Sequence, residues 1–371
     1  MTATGAAHGA IMAPMTARFT RRAGLVAGAA FVATASGTHA DESTGRGALR
    51  DLADARGIRI GAAVAARPLA NEPAYRETLA REFSSVTCEN VMKPSFVQPA
   101  AGTFDFQASD AIVAFATAHG MTVRGHTLVW HQQNPAWLER VAAVGENPAG
   151  ALRDHIFGVV RHYRNDGPAP VPVWDVVNEA LTDNGLMRDT LWSRALGPRY
   201  LADAFSWAHE ADPDARLFYN DFGAEGMGRK ANAVHAMLRD LVGGGVPVHG
   251  VGLQMHVGIG AGHTPSVTDL AANIARLRAL GLDVHVTEMD VKLQTGTGGD
   301  EARRTDQAQV YADVLGTCLE AGVTSFTLWG FTDAHSWIPG FTGKPDGALP
   351  FDTAYEPKPA YHALARVLAG D

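Results

Sequence analysis

The sequence predicts an α/β chain folded as a single (β/α)8 TIM barrel, and three observations carry that expectation. Eight short apolar runs, rich in Val, Ile and aromatic residues, recur between residues 58 and 329, and longer Ala/Leu/Arg segments of helical period separate them. The runs are near-continuously apolar rather than alternating, as strands covered on both faces are, and strand followed by helix eight times over is how a parallel sheet closes on itself. The length of 371 residues allows two domains or one large barrel. Residues 46–371 show neither a Pro/Ser/Thr linker nor a shift in composition, so one domain is expected there. An open doubly wound sheet is the alternative. No Gly-x-Gly-x-x-Gly opens a helix after the first run, which weakens its nucleotide-binding form.

Ahead of the barrel, residues 1–40 carry Arg18, Arg21 and Arg22 and no acidic residue, then the uncharged stretch 23–38, then Thr38-His39-Ala40. Basic, apolar, then small is the order of a signal peptide, and it makes the expected location secreted or periplasmic. An apolar stretch of about 16 residues rich in Ala and Gly is too short and too weakly apolar to span a bilayer. Thr20-Arg21-Arg22 followed by Leu25 and Val26 fits a twin-arginine signal, whereas Gly24 stands where such signals carry a bulky residue, so both export routes stay open. The whole chain has a net charge of −8, and loss of the three arginines leaves −11.

Nearly every apolar run ends on polar residues. The first, 58–64, is apolar to its end. The second, 83–91, leads into Cys88-Glu89-Asn90-Val91-Met92-Lys93, and a helix is expected at 110–119. The third, 122–130, gives Arg124-Gly125-His126-Thr127-Leu128-Val129-Trp130-His131. The fourth, 171–179, is Trp174-Asp175-Val176-Val177-Asn178-Glu179, with a helix at 198–210. The fifth, 216–222, holds Tyr219-Asn220-Asp221, with a helix at 230–241. The sixth, 250–256, closes Gly252-Leu253-Gln254-Met255-His256; the helix 267–280 follows, opened by Ser266-Val267-Thr268-Asp269 in the form of a capping box and stopped at Gly281. The seventh, 283–288, runs His285-Val286-Thr287-Glu288-Met289-Asp290, and the helix 305–321 after it stops at Gly322. The eighth, 324–329, ends Trp329-Gly330-Phe331-Thr332-Asp333, with Trp337 just beyond.

In a parallel barrel those C-terminal strand ends form the functional face. A buried carboxylate without a partner costs several kcal/mol, so Glu179 and Glu288 at the ends of such apolar strands need a reason. Only Lys93 and Arg124 are obvious cationic partners. Two carboxyl groups facing across a barrel mouth suit glycoside hydrolysis, in which one protonates the leaving oxygen and the other attacks the sugar or activates water. The acidic balance, without a Lys/Arg cluster, argues against nucleic acid or an anionic membrane as partner. Two cysteines, Cys88 and Cys318, exclude a disulfide scaffold and a Cys-built zinc site, and two free buried thiols are expected. Fifteen His keep a metal-dependent hydrolase in view, but the first run lacks the paired His-x-His such a site would want. No cofactor and no metal are expected.

The motifs Glu89-Asn90-x-x-Lys93, Gly125-His126-Thr127-Leu128-Val129-Trp130-His131, Trp174-Asp175-Val176-Val177-Asn178-Glu179, Tyr219-Asn220-Asp221, Gly252-Leu253-Gln254-Met255-His256, Thr287-Glu288-Met289-Asp290 and Trp329-Gly330-x-Thr332-Asp333-x-x-Ser336-Trp337 occur in this order. Phe351-Asp352-x-x-Tyr355-x-Pro357-Lys358-Pro359-Ala360-Tyr361 closes the series. With them the chain resembles glycoside hydrolase family 10 endo-β-1,4-xylanases from about Leu52 to Ala369. The resemblance implies a retaining hydrolase of xylan and xylo-oligosaccharides, expected as a monomer. It implies Glu179 as acid/base, Glu288 as nucleophile, Asn178 on the 2-hydroxyl of the sugar under attack, and His256, steadied by Asp290, supporting Glu288. By the same resemblance Glu89, Asn90, Lys93, His126, Trp130, Gln133 and Gln254 hold the sugars on the non-reducing side. Trp329 and Trp337 supply apolar platforms, the latter crowding a hexose hydroxymethyl. Trp174, Asp175 and His285 read as structural. Phe222, where the family often has Tyr, and the Gly-rich loop 295–300 depart from its pattern. A β-glucan in place of xylan, and a binding barrel without activity, are the remaining alternatives.

Overall fold

The computed structural model describes residues 47–371; the expected signal peptide lies outside the described residues. Among the described residues nine strands form: β1 Arg59–Val64, β2 Ser85–Cys88, β3 Thr122–Val129, β4 Val173–Asn178, β5 Arg216–Asp221, β6 Gly250–Leu253, β7 His256–Gly258, β8 Asp283–Lys292 and β9 Ser325–Leu328. Every pairing is parallel. The sheet closes because β6 pairs with β8 and β9 pairs with β1, so eight strands complete a TIM barrel and β7 lies outside the ring. The expected barrel stands, and the open sheet is excluded.

The difference from expectation falls in the sixth run, which makes two strands instead of one. Met255 adopts φ 64°, a left-handed conformation that no strand residue can hold, so the chain leaves the barrel at Leu253 and resumes as β7. There it pairs with the outer end of β8, His256 opposite Asp290 and Gly258 opposite Lys292. Strand β8 is the longest, at ten residues, because its inner half belongs to the barrel and its outer half to this side pairing.

Helices fill the connections near their expected places: Gln107–Ala118, Tyr200–Ala211, Arg229–Gly243, Val267–Arg278 and Asp300–Glu320. Ser266 Oγ accepts the Asp269 N–H at 3.1 Å and caps the fourth of these. The strands read apolar because they are buried on both sides, as β2 and β4 show. Two glycines have packing reasons. A Cβ on Gly125 would stand 2.2 Å from the ring of the fully buried Trp174, and one on Gly252 would stand 2.1 Å from Asn220 Oδ1.

At the barrel floor Arg124 pairs with Asp175 through Nε and Nη2, and its Nη1 lies 3.1 Å from His285 Nδ1. Arg124, a candidate partner for the mouth carboxylates, is therefore taken up inside the barrel. Burial, with help from Arg124, pushes His285 down to about 3 and keeps it neutral against Phe218. Asp175 is held low by Arg124 and His126 despite burial. Cys88 and Cys318 are free, buried thiols, and burial pushes the Cys318 thiol up to about 12. Among the described residues no helix is long and apolar enough to cross a membrane.

Candidate active site

The C-terminal ends of the strands open into a cleft of about 500 Å3. Glu89, Asn90, Lys93, His126, Trp130, Gln133, Asn178, Glu179, Gln254, His256, Glu288, Trp329 and Trp337 all line it. Asp290 alone among the candidates does not; it stands behind His256 and is fully buried. Three lining residues escaped the sequence reading, Gln132, Lys292 and Phe341, and a fourth, Phe222, was noted only as a departure from the family pattern. Lys292 had a signal, since residues two apart share a strand face and Glu288, Asp290 and Lys292 are so spaced on β8.

Glu179 sits one residue beyond β4 at φ 57°, its backbone N–H held by the Asn220 carbonyl at 2.8 Å. That turn aims the side chain into the cleft, where it is 8% exposed. Its Oε1 accepts from Asn178 Nδ2 at 3.2 Å and from Gln254 Nε2 at 3.1 Å. His131 Nδ1 stands 3.8 Å from Oε2 and has no hydrogen-bond partner; burial lowers the pKa of this imidazole, against the pull of Glu179. The donors that reach Glu179 are thus neutral amides.

Glu288, three strands around the barrel on β8, is 4% exposed. Its Oε1 accepts from Asn220 Nδ2 at 2.6 Å, and its Oε2 lies 3.2 Å from His256 Nε2. His256 Nδ1 is 2.9 Å from Asp290 Oδ2, so both ring nitrogens face carboxylates. An ionised carboxylate only accepts, so both nitrogens must donate and the ring is an imidazolium. Burial opposes that charge, but Asp290 and the hydrogen bonds to Asp290 and Glu288 outweigh it and raise His256 to about 10. Trp337 Nε1 donates to the same Asp290 oxygen at 2.8 Å, and its ring centroid lies 5.2 Å from that of His256. One aromatic wall is thereby fixed to the residues that hold Glu288.

Asn220 is the residue the sequence reading most undervalued. Its Nδ2 also donates to Asn178 Oδ1 at 3.0 Å, and its Oδ1 accepts from Thr287 Oγ1 at 2.7 Å. The two glutamates are thus joined through an unbroken amide chain, Glu179 to Asn178 to Asn220 to Glu288. Gly252 is required beneath it, because any side chain there would displace the Asn220 amide.

On the opposite side of the cleft Lys93 Nζ lies 3.2 Å from Asn90 Oδ1, with the rings of Trp130 and Trp329 at 4.7 and 5.8 Å. Gln133 Nε2 donates to the same Asn90 oxygen, and Asn90 Nδ2 donates to Glu89. Burial lowers the Lys93 pKa, opposed by Glu288, Glu89 and Glu179, and raises that of Glu89, opposed by Lys93. Lys93 makes no direct ion pair with either glutamate. Hydrogen bonds and rings compose a surface fit for a polyhydroxylated, uncharged ligand.

The raised pKa of His256 gives a testable sign. The imidazolium contributes stability below about 6.5, the ordinary value of an unfolded His, and that contribution is lost as pH rises through about 10. The melting-temperature difference between the parent and His256→Asn should therefore shrink steadily from about pH 7 to about pH 10. A difference constant over that range would contradict the assignment.

Two buried carboxylates on separate strands of a TIM barrel, one with neutral amide donors and one beside an imidazolium, in a cleft walled by tryptophan, define the class of barrel glycosidases. The comparisons narrow it. The profile of glycosyl hydrolase family 10 matches residues 48–367, and the chain belongs to that family. It is 39% identical over 323 residues to endo-1,4-beta-xylanase B of Thermotoga neapolitana, covering 86% of this chain and 91% of that one. It is 36% identical over 316 residues to exoglucanase XynX of Acetivibrio thermocellus, covering 82% of this chain and 28% of that one. The crystal structure of xylanase 10B from Thermotoga petrophila in complex with xylobiose superposes with a TM-score of 0.81 at 40% identity, over 87% of this chain and 97% of that one.

Proposed function

We propose that this protein is an endo-1,4-β-xylanase that cleaves internal β-1,4-xylosidic bonds with retention of anomeric configuration. The observation that carries the reading is the unequal environment of the two carboxylates. Glu288 is held between the His256 imidazolium and the Asn220 amide, both donors to a negative oxygen, and is aimed as a nucleophile. Glu179, reached by neutral amides, is free to carry a proton. In the first step Glu179 gives its proton to the glycosidic oxygen as Glu288 bonds to C1 and the leaving sugar departs. In the second, Glu179 takes a proton from water as that water attacks C1 and the Glu288 ester breaks. Esterification removes one negative charge from the cleft, which favours Glu179 as a base at that point. Asn178 Nδ2, already directed at the Glu179 carboxylate, is placed to serve the sugar 2-hydroxyl.

The similarity to an endo-1,4-beta-xylanase over most of both chains, and to a structure that holds xylobiose, supports pentose as the sugar. A β-glucan is the second reading, favoured by the similarity to an exoglucanase. Parallel assays decide between them: xylohexaose should be cut to short oligomers while cellohexaose stays largely intact, and the reverse would overturn the xylan assignment. Trp337, packed on His256 and bonded to Asp290, is the residue proposed to exclude a hydroxymethyl group. Trp337→Ala should raise the ratio of cellohexaose to xylohexaose kcat/KM by about tenfold, the scale of one added group in an apolar pocket. An unchanged ratio would remove that role.

Export is proposed on the basic, apolar and small-residue order of residues 1–40. The mature N-terminus in culture medium or periplasm should follow Ala40, as mass spectrometry of the intact protein would show. Full-length protein confined to the cytoplasm would refute it.

A further inference from the structure

We infer that Glu225, which lies outside the cleft, is a positioning residue that sets both cleft carboxylates through the left-handed bend at Met255. The two residues between β6 and β7 are Gln254 and Met255. Gln254 reaches Asn178 and Glu179, and His256, two positions on, reaches Glu288. The Met255 bend between them is what turns these two side chains onto different carboxylates. A methionine holds φ 64° only where its surroundings fix it.

Three contacts fix it. The Met255 side chain is fully buried, its carbonyl accepts the Asp290 N–H at 3.4 Å, and its own N–H donates to Glu225 Oε1 at 3.1 Å. Glu225 Oε1 also accepts the Gly223 N–H at 3.1 Å, and the residue is 6% exposed. A carboxylate buried on backbone N–H groups, with only the nearby charge of His256 and no ion pair to Lys or Arg to offset it, is costly to place, so its presence calls for a purpose. Burial raises its pKa, and the backbone N–H donors offset part of the rise.

The clamp is anchored at its far end. Asn273 Nδ2 donates to the Ala224 and Glu225 carbonyls at 2.7 and 3.1 Å, and Asn273 Oδ1 accepts from Arg276 Nε at 2.8 Å. Asn273 is 1% exposed and belongs to the helix Val267–Arg278. A continuous set of hydrogen bonds therefore runs from that outer helix through Glu225 to the bend, and from the bend to both glutamates. Withdrawing the carboxylate leaves the Met255 N–H unpaired in a buried place, and the bend relaxes toward a form that satisfies it. His256 then leaves Glu288.

This inference rests on the reading of Glu288 as the nucleophile, and one set of assays on xylohexaose separates the two. The charged and titratable groups that face Glu288 are His256 on β7, His126 on β3, Lys93 after β2 and Glu179 after β4. With His256 withdrawn, Glu288 loses a charged hydrogen-bond donor, and the acid limb of kcat/KM moves up. Glu225→Gln keeps an acceptor oxygen for both N–H groups and should stay within about threefold of the parent. Glu225→Asp pulls the carboxylate back by one methylene. It should lose about tenfold or more in kcat with KM within about twofold, and its acid limb should rise by about half a pH unit. Should Glu225→Asp fail to fold, Asn273→Ala decides: it frees the clamp while leaving the carboxylate, and the limb should move the same way. A Glu225→Asp or Asn273→Ala enzyme with the parent's limb, or Glu225→Gln as impaired as Glu225→Asp, would overturn the role of Glu225 alone. A parent inactive on xylohexaose would overturn the reading of the site and this inference with it.

Discussion

Glu288→Ala is expected to lower kcat on xylohexaose by about 10^5-fold, ~7 kcal/mol of transition-state stabilisation. Two losses combine. The substitution removes the group that bonds to C1, and no second carboxylate on β8 can reach in its place, since Asp290 is fully buried and committed to His256 and Trp337. It also strands an imidazolium and the Asn220 amide, both built to face a negative oxygen. Steady-state assay of the folded variant checks it. A residual rate above about one hundredth of the parent's would point to another nucleophile, because no general acid acting alone supplies the difference.

Glu179→Ala should cost about 10^3-fold on xylan, ~4 kcal/mol, in the range that general acids contribute. KM should change little, because the sugar-binding residues Glu89, Asn90, Lys93 and Trp329 touch other parts of the cleft. The loss should depend on the leaving group. A nitrophenyl xylobioside, whose phenolate departs without a proton, should recover much of the first step, so that the second step, which still lacks its base, limits turnover. An equal loss on both substrates would remove Glu179 from the acid role, and parental activity on xylan would remove it from the mechanism.

The barrel and most of its cleft were legible in the sequence because both obey local rules. An apolar run that closes on Glu, Asn, His or Trp marks a strand and its functional end together, and those ends converge once the sheet closes. What stayed hidden depends on partners that no local pattern encodes. The split of the sixth run turns on a left-handed Met255, a residue type that gives no warning of such a bend. Asn220 sat in a motif already noted, but its value comes from neighbours 42 and 68 positions away. Arg124 looked free to balance the mouth carboxylates until the floor showed it bound to Asp175. Phe341 lies on the short helix Ile338–Thr342 after β9, too short for any periodicity to place it against Trp337.

The central claim is that Glu288 attacks and Glu179 serves first as acid and then as base. Retention tests it most directly. With xylohexaose in an NMR tube, the anomeric signal of each new reducing end should appear first as the β-anomer and only later equilibrate by mutarotation, and Glu288→Ala should give no such signal. First appearance of the α-anomer would mean that water attacks C1 directly and Glu288 only deprotonates it, which would contradict the account.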